Sequence, residues 1–210
     1  MSEHSPQEAD NPKQGGFPEY VIAEPPPGFV DFVGAMRRLQ DLAVSAAPND
    51  HVWEDAARRV EDLVGLLDPY EAPEGVAPAG RAPNTPGMGS LLMPPWSLIE
   101  YRSDGILMKG HFDRYHLGGN NAVHGGVLPL MFDYVFGLVV HAAGRPISRT
   151  AFLHVDYRKV TPISAPLTIR GRPDSVEGRK MFVSAELTGA DGSVLAEAHG
   201  LMVQPRPGQP

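Results

Sequence analysis

From Val127 to Val140 the chain is an almost unbroken run of apolar side chains, with one carboxylate, Asp133, in its middle. A helix apolar on every side is a buried helix, so this run predicts a central helix, ended near Ala143 by Gly144, Arg145 and Pro146. Burying an aspartate costs several kcal/mol, roughly, unless it is hydrogen-bonded, opens onto a cleft or is used. At 3.6 residues per turn Gly126, Pro129, Leu130, Asp133 and Gly137 share one face. That face is mostly small, which lets a second backbone or a slender ligand approach the carboxylate. Gly125 and Gly126 allow tight geometry at the helix start, and Pro129 falls in the first turn, where its missing N–H is tolerated. A helix start of this kind presents unpaired N–H groups and partial positive charge.

Upstream, Phe29, Phe32, Val33, Met36, Leu39 and Ala43 recur at helical spacing and predict an amphipathic helix ended by Pro48. Asn49 and Asp50 offer an N-cap for a second helix, striped by Val52, Trp53, Ala56, Val60, Leu63, Val64 and Leu67. Two helices of this length cannot bury both stripes alone, so packing on the later domain or on another chain is expected. Downstream, period-two patterning predicts strands at Trp96–Tyr101 and Ile106–Phe112, then Arg149–Val160, Leu167–Arg172, Lys180–Thr188 and Ser193–Val203. In the first strand after the helix, Ala151, Leu153, Val155 and Tyr157 alternate with Thr150, Phe152, His154 and Asp156. Residues 115–123, rich in Gly and Asn, read as a loop. The fold class is therefore α+β, an antiparallel sheet wrapped on one long helix.

The flanks divide the chain further. Residues 1–28 are proline-rich and poor in apolar side chains, and are expected to be disordered. A helical extension follows over 29–68, then a linker over 69–95, the sheet-and-helix domain over 96–204 and a tail over 205–210.

Composition narrows the function classes. The net charge of −7 is unevenly placed: residues 1–95 carry six Lys/Arg against fifteen Asp/Glu, and residues 96–210 carry twelve against ten. Neither half has the basic face that nucleic-acid binding requires. Cysteine is absent, and the eight histidines are scattered without a metal-binding spacing, so no metal is expected. No apolar run reaches the length of a membrane span and the first twenty residues have no signal-peptide core, so a cytoplasmic protein is expected.

His124-Gly125-Gly126, followed by Asp133 nine positions after the histidine within an apolar helix, resembles the hotdog-fold thioesterases, and specifically their PaaI-like acyl-CoA thioesterase branch. The likeness extends through the strand Ala151–Tyr157 and the step Thr161-Pro162, covers about Trp96 to Gln204, and leaves out the extension. It implies a hotdog fold, an acyl-CoA substrate, no cofactor, and a homodimer or a tetramer of dimers.

The resemblance also implies roles. Asp133 would activate water or attack the thioester directly, and the Gly125 N–H would polarise the thioester oxygen. His124 would shape the oxyanion site or orient water. Many members carry a water-positioning asparagine six residues before the histidine; Gly118 stands there, leaving Asn121 as a weaker substitute. Gly126, Thr150 and Phe152 would border the cleft. Arg158 and Lys159, with Arg170/Arg172 or Arg179/Lys180 as alternatives, would meet the coenzyme A phosphates. Two other readings stand beside hydrolysis. One is a hotdog dehydratase or hydratase on hydroxyacyl thioesters, faintly echoed by His111; the other is a non-catalytic acyl-CoA-binding module.

Overall fold

The computed structural model describes residues 24–206. Most of the expected N-terminal segment, residues 1–23, and the end of the tail, residues 207–210, lie outside the described residues. Three helices, α1 (Phe29–Ser45), α2 (Asp50–Leu67) and α3 (Val127–Ala142), are combined with eight strands. The strands are β1 (Ser97–Arg102), β2 (Gly105–Gly110), β3 (Leu117–Gly119), β4 (Ala122–Val123), β5 (Arg149–Tyr157), β6 (Leu167–Glu177), β7 (Lys180–Gly189) and β8 (Val194–Val203).

Six of the strands form one antiparallel sheet in the order β1-β2-β6-β7-β8-β5, and α3 lies across it. Leu128, Met131, Phe132, Val135, Phe136, Val139 and Val140 are the buried stripe of α3. They meet Ile106, Met108, Leu167, Ile169, Met181, Val183, Ala198 and Met202 in a single core. Helix and sheet come close where the sheet has no side chain. A Cβ on Gly171 would fall 2.7 Å from Val135 Cγ1, and one on Gly200 would fall 2.7 Å from Phe136 Cε2. Trp96 closes one end of this core, its ring 5.3 Å from that of Phe112.

The helix differs from the expectation in one respect. It is buried on one face only: Asp133, Gly137 and His141 are exposed, and Leu130, Tyr134 and Leu138 are half-buried. The open face is the small one that carries Asp133. Its apolar composition therefore exceeds what one sheet covers.

Three local patterns escaped the periodicity argument. β6 runs past Pro173 to Glu177, because a register shift between Pro173 and Ser175 accommodates the residue that lacks an N–H. A tight turn at Gly178, with φ of 59°, then leads into β7. The loop before α3 contains the hairpin β3–β4, turned by Asn120 and Asn121, both left-handed with φ of 49° and 56°. Asparagine tolerates that conformation better than most side chains.

The two N-terminal helices behave differently. α1 docks on the domain, burying Val33 and inserting Arg37 into the loop that follows residue 85. Its buried side is set by Phe29, Val33, Arg37, Gln40 and Asp41, whereas Leu39 and Ala43 of the apolar stripe are exposed, as is Leu42. α2 buries no side chain, and Val52, Trp53, Val60, Val64 and Leu67 are all at least 42% exposed. The proline-rich stretch between α2 and β1 is ordered against the domain in its second half, with Ala82 and Thr85 buried.

Candidate active site

The open face of α3 and the edge strand β5 together frame the candidate site. Alternation places Ala151, Leu153, Val155 and Tyr157 on the helix side of β5, and would turn Thr150 away. A register shift between Thr150 and Phe152 changes this. The extra residue reverses parity at the start of the strand, and Thr150 comes onto the helix side opposite the buried Met202. There its hydroxyl donates to Asp133 Oδ1 at 2.6 Å, with Met202 Sδ at 3.4 Å from the same oxygen. One carboxylate oxygen of Asp133 is thus fixed, on a side chain that is itself exposed.

The helix start is built by backbone contacts. His124 N–H donates to the His116 carbonyl at 2.8 Å, and the His124 carbonyl accepts Val127 N–H at 2.9 Å. His124 Nδ1 accepts Gly126 N–H at 3.1 Å, so a neutral His124 carries its proton on Nε2. The Gly125 carbonyl accepts the Tyr157 hydroxyl at 2.8 Å. Gly126 N–H is therefore occupied, while no acceptor among the described residues takes the N–H of Gly125. An unpaired donor at the positive end of a helix suits a developing oxyanion.

Thr150, Asp133, Gly125, Gly126 and His124 therefore border one stretch of helix and strand. Phe152 does not join them. It lies on the outer face of the sheet, its ring 6.3 Å from that of His199, which stacks in turn on His154. Asn121 sits in the β3–β4 turn, where its backbone carbonyl accepts Ile163 N–H at 3.0 Å. Arg158 is held by Glu197 at 2.7 Å and lies 3.5 Å from Asp156, and Lys159 is exposed beside it. Arg170 and Arg172 face Glu100 and Asp174 at 3.7 and 3.5 Å.

Gly118, in the place of the resembled family's asparagine, has a local reason to be glycine. A Cβ there would fall 2.7 Å from His124 Cα. Tyr157 is the site residue that the motif reading missed. The signal was present, since it shares the helix-facing parity of Leu153 and Val155. Among the described residues no group of three or more His, Asp or Glu side chains is placed to hold a metal ion. No described helix is long and apolar enough to cross a membrane.

The sheet curled on one long helix, with a carboxylate and a glycine-rich helix start beside its edge strand, is a hotdog domain. Residues 120–196 match the family model of the thioesterase superfamily. Acyl-coenzyme A thioesterase THEM4 of Rattus norvegicus is 32% identical over 89 residues, which cover 42% of this chain and 38% of the relative. This chain spans less than half the length of the curated relatives it matches. A solved structure described as a thioesterase superfamily protein superposes with a TM-score of 0.74 at 27% identity, covering 87% of this chain and 99% of the other. That coverage reaches beyond the hotdog domain into the helical extension. A Streptococcus mutans protein solved bound to acetyl CoA shares the fold, with a TM-score of 0.51, 19% identity, and coverage of 53% of this chain and 90% of its own.

Proposed function

We propose that the chain is an acyl-CoA thioesterase of the PaaI-like kind, cleaving an acyl-CoA to free acid and coenzyme A. The observation that carries this reading is the Thr150–Asp133 pair, a carboxylate oriented at 2.6 Å on an open, small-residue helix face. The match of residues 120–196 to the thioesterase superfamily model and the likeness to curated acyl-CoA thioesterases support the same substrate class.

In this reaction Asp133 takes a proton from water as the water oxygen attacks the thioester carbonyl carbon. The negative charge that develops on the carbonyl oxygen is met by the Gly125 N–H. The tetrahedral intermediate then collapses, the C–S bond breaks, and the departing thiolate recovers the proton from Asp133. Thr150 keeps the carboxylate facing the substrate.

One magnitude sets the assembly. Asp133 lies six residues into α3 from Val127, about 9 Å along the helix axis at 1.5 Å per residue, and Gly125 lies before the helix starts. A base and an oxyanion donor acting on one carbonyl must both lie about 3 Å from the reacting atoms. Within one chain they do not converge. We infer a homodimer in which antiparallel α3 helices bring one copy's Asp133 toward the other's Gly125, with two equivalent sites. The open face of α3 and the free edge of β5 supply the surface for it.

Measurement of free thiol released from a panel of acyl-CoAs tests the proposal. Turnover of at least one member, abolished by Asp133→Asn, is expected; binding without thiol release would instead establish a binding module. The dehydratase reading is not favoured, since His111 is paired with Asp113 at 2.9 Å, apart from Asp133.

A further inference from the structure

α1 is connected to the helix-start donor through an unbroken series of contacts. Arg37 anchors the helix, donating to the carbonyls of Met93 at 2.8 Å, Ser90 at 2.8 Å and Pro86 at 3.1 Å. One turn further on, Asp41 Oδ1 accepts the backbone N–H of Tyr115 at 3.0 Å. Tyr115 belongs to the 3-10 turn Arg114–His116, which is closed by reciprocal bonds between Asp113 and His116. In these, Asp113 N–H donates to His116 Nδ1 at 3.1 Å and His116 N–H donates to the Asp113 carbonyl at 3.0 Å. The His116 carbonyl then holds His124 N–H at 2.8 Å, and Gly118 lies directly against the His124 backbone. The next residue is Gly125.

We propose that Asp41, on the N-terminal helix, is a positioning residue that aims the Gly125 N–H by fixing the turn Arg114–His116. The inference rests on the thioesterase reading above. The physical reason is that an oxyanion donor acts only when aimed at the place where charge develops, and a displacement of about 1 Å removes much of its effect. Gly125 is held by three bonds. Tyr157 fixes its carbonyl, Val127 N–H holds the His124 carbonyl of the peptide that carries the Gly125 N–H, and the His116–His124 bond fixes the residue before it. Only the last is tied to α1. Tyr115 N–H is an early donor of a short turn and lacks an acceptor within it, so without Asp41 it turns to water and the turn is free to shift. The extension thereby acquires a part in the reaction without touching substrate.

The test compares Asp41→Ala, Asp41→Asn and wild type in the full-length chain with an acyl-CoA that the wild type hydrolyses. Asp41→Ala is expected to lower kcat by roughly ten- to a hundredfold, the scale of a misaimed donor, with KM within about twofold. Asp41→Asn keeps an acceptor oxygen and should recover most of kcat. Amide hydrogen exchange over residues 114–126 should rise in Asp41→Ala and return to wild-type rates in Asp41→Asn. If Asp41→Ala does not fold, Asp41→Glu carries the same comparison, because it keeps the charge and displaces the acceptor by one methylene. Loss of melting temperature with kcat unchanged would overturn the proposal and leave Asp41 a purely structural contact. Asp133→Asn, run in parallel, separates the two levels. If the wild type releases no thiol, or Asp133→Asn turns over normally, the thioesterase reading fails. If Asp133→Asn is inactive and Asp41→Ala is not impaired, only the positioning role fails.

Discussion

Thr150 reaches Asp133 across 2.6 Å because β5 carries an extra residue between Thr150 and Phe152. A hydrogen bond to a charged group contributes about 1.5–3 kcal/mol, and each 1.4 kcal/mol is about a factor of ten in rate. Thr150→Ala is therefore expected to lower kcat by about ten- to a hundredfold, and Thr150→Ser, which keeps the hydroxyl, by much less. Steady-state kinetics of the two variants checks this. Equal activity in Thr150→Ala and wild type would remove the orienting role.

Asp133 is exposed and its partner is a hydroxyl, so Asp133→Asn preserves an acceptor for Thr150 and should leave the fold intact. Hydrolysis should nevertheless fall at least about a hundredfold, the usual scale for a positioned general base. Circular dichroism with the thiol-release assay separates the two effects.

The proposed cross-chain site makes a complementation test possible. Gly125→Pro deletes the proposed donor, whereas Gly125→Ala leaves it, and a Cβ there meets only the Tyr157 ring at an ordinary 3.9 Å. Gly125→Pro subunits and Asp133→Ala subunits should each be inactive alone. Co-refolded, they should form heterodimers with one intact site and recover part of the activity. An active monomer in sedimentation would contradict the dimeric site.

Gly118→Ala would bring a methyl group to 2.7 Å from His124 Cα, a backbone atom that cannot move without shifting the helix start. Overpacking of this kind costs about 1–3 kcal/mol. A fall in melting temperature together with a fall in kcat is expected, whereas Gly137→Ala, with nothing within 4 Å in one chain, should not lower the stability of a single chain and tests the proposed dimer interface.

A pH dependence of stability follows from His116. Burial lowers its pKa, partly opposed by the nearby Asp113 and Asp41 and reinforced by Arg37. A depressed histidine pKa means that the unfolded chain binds the proton first. Stability from this group is fully present above the unfolded value of about 6.5, and is lost as pH falls through the window down to the lowered folded value. Urea midpoints measured from pH 7.5 downward should drop more steeply in wild type than in His116→Asn, which keeps an acceptor and does not titrate. Parallel curves would refute the assignment.

Much of this protein follows from sequence alone. The apolar run Val127–Val140 with Asp133 inside it, the His124-Gly125-Gly126 start and the alternating strands after it define a sheet on a helix. Local periodicity and turn chemistry are short-range properties, and they are written in neighbouring residues. Thr150 was legible as the only hydroxyl candidate, but the bulge that turns it toward Asp133 was not, since parity in a strand is reset by its pairing with β8. Which face of α3 stays open was equally hidden, because an apolar helix face looks the same whether its cover is a sheet or another chain. The strand expected to end at Arg172 runs on past Pro173 through a register shift. The docking of α1 through Arg37 and Asp41, beside Phe29 and Val33 of its apolar stripe, depends on carbonyls and an N–H 49 or more residues away along the chain. Such contacts have no local signature, so only the tertiary structure decided them.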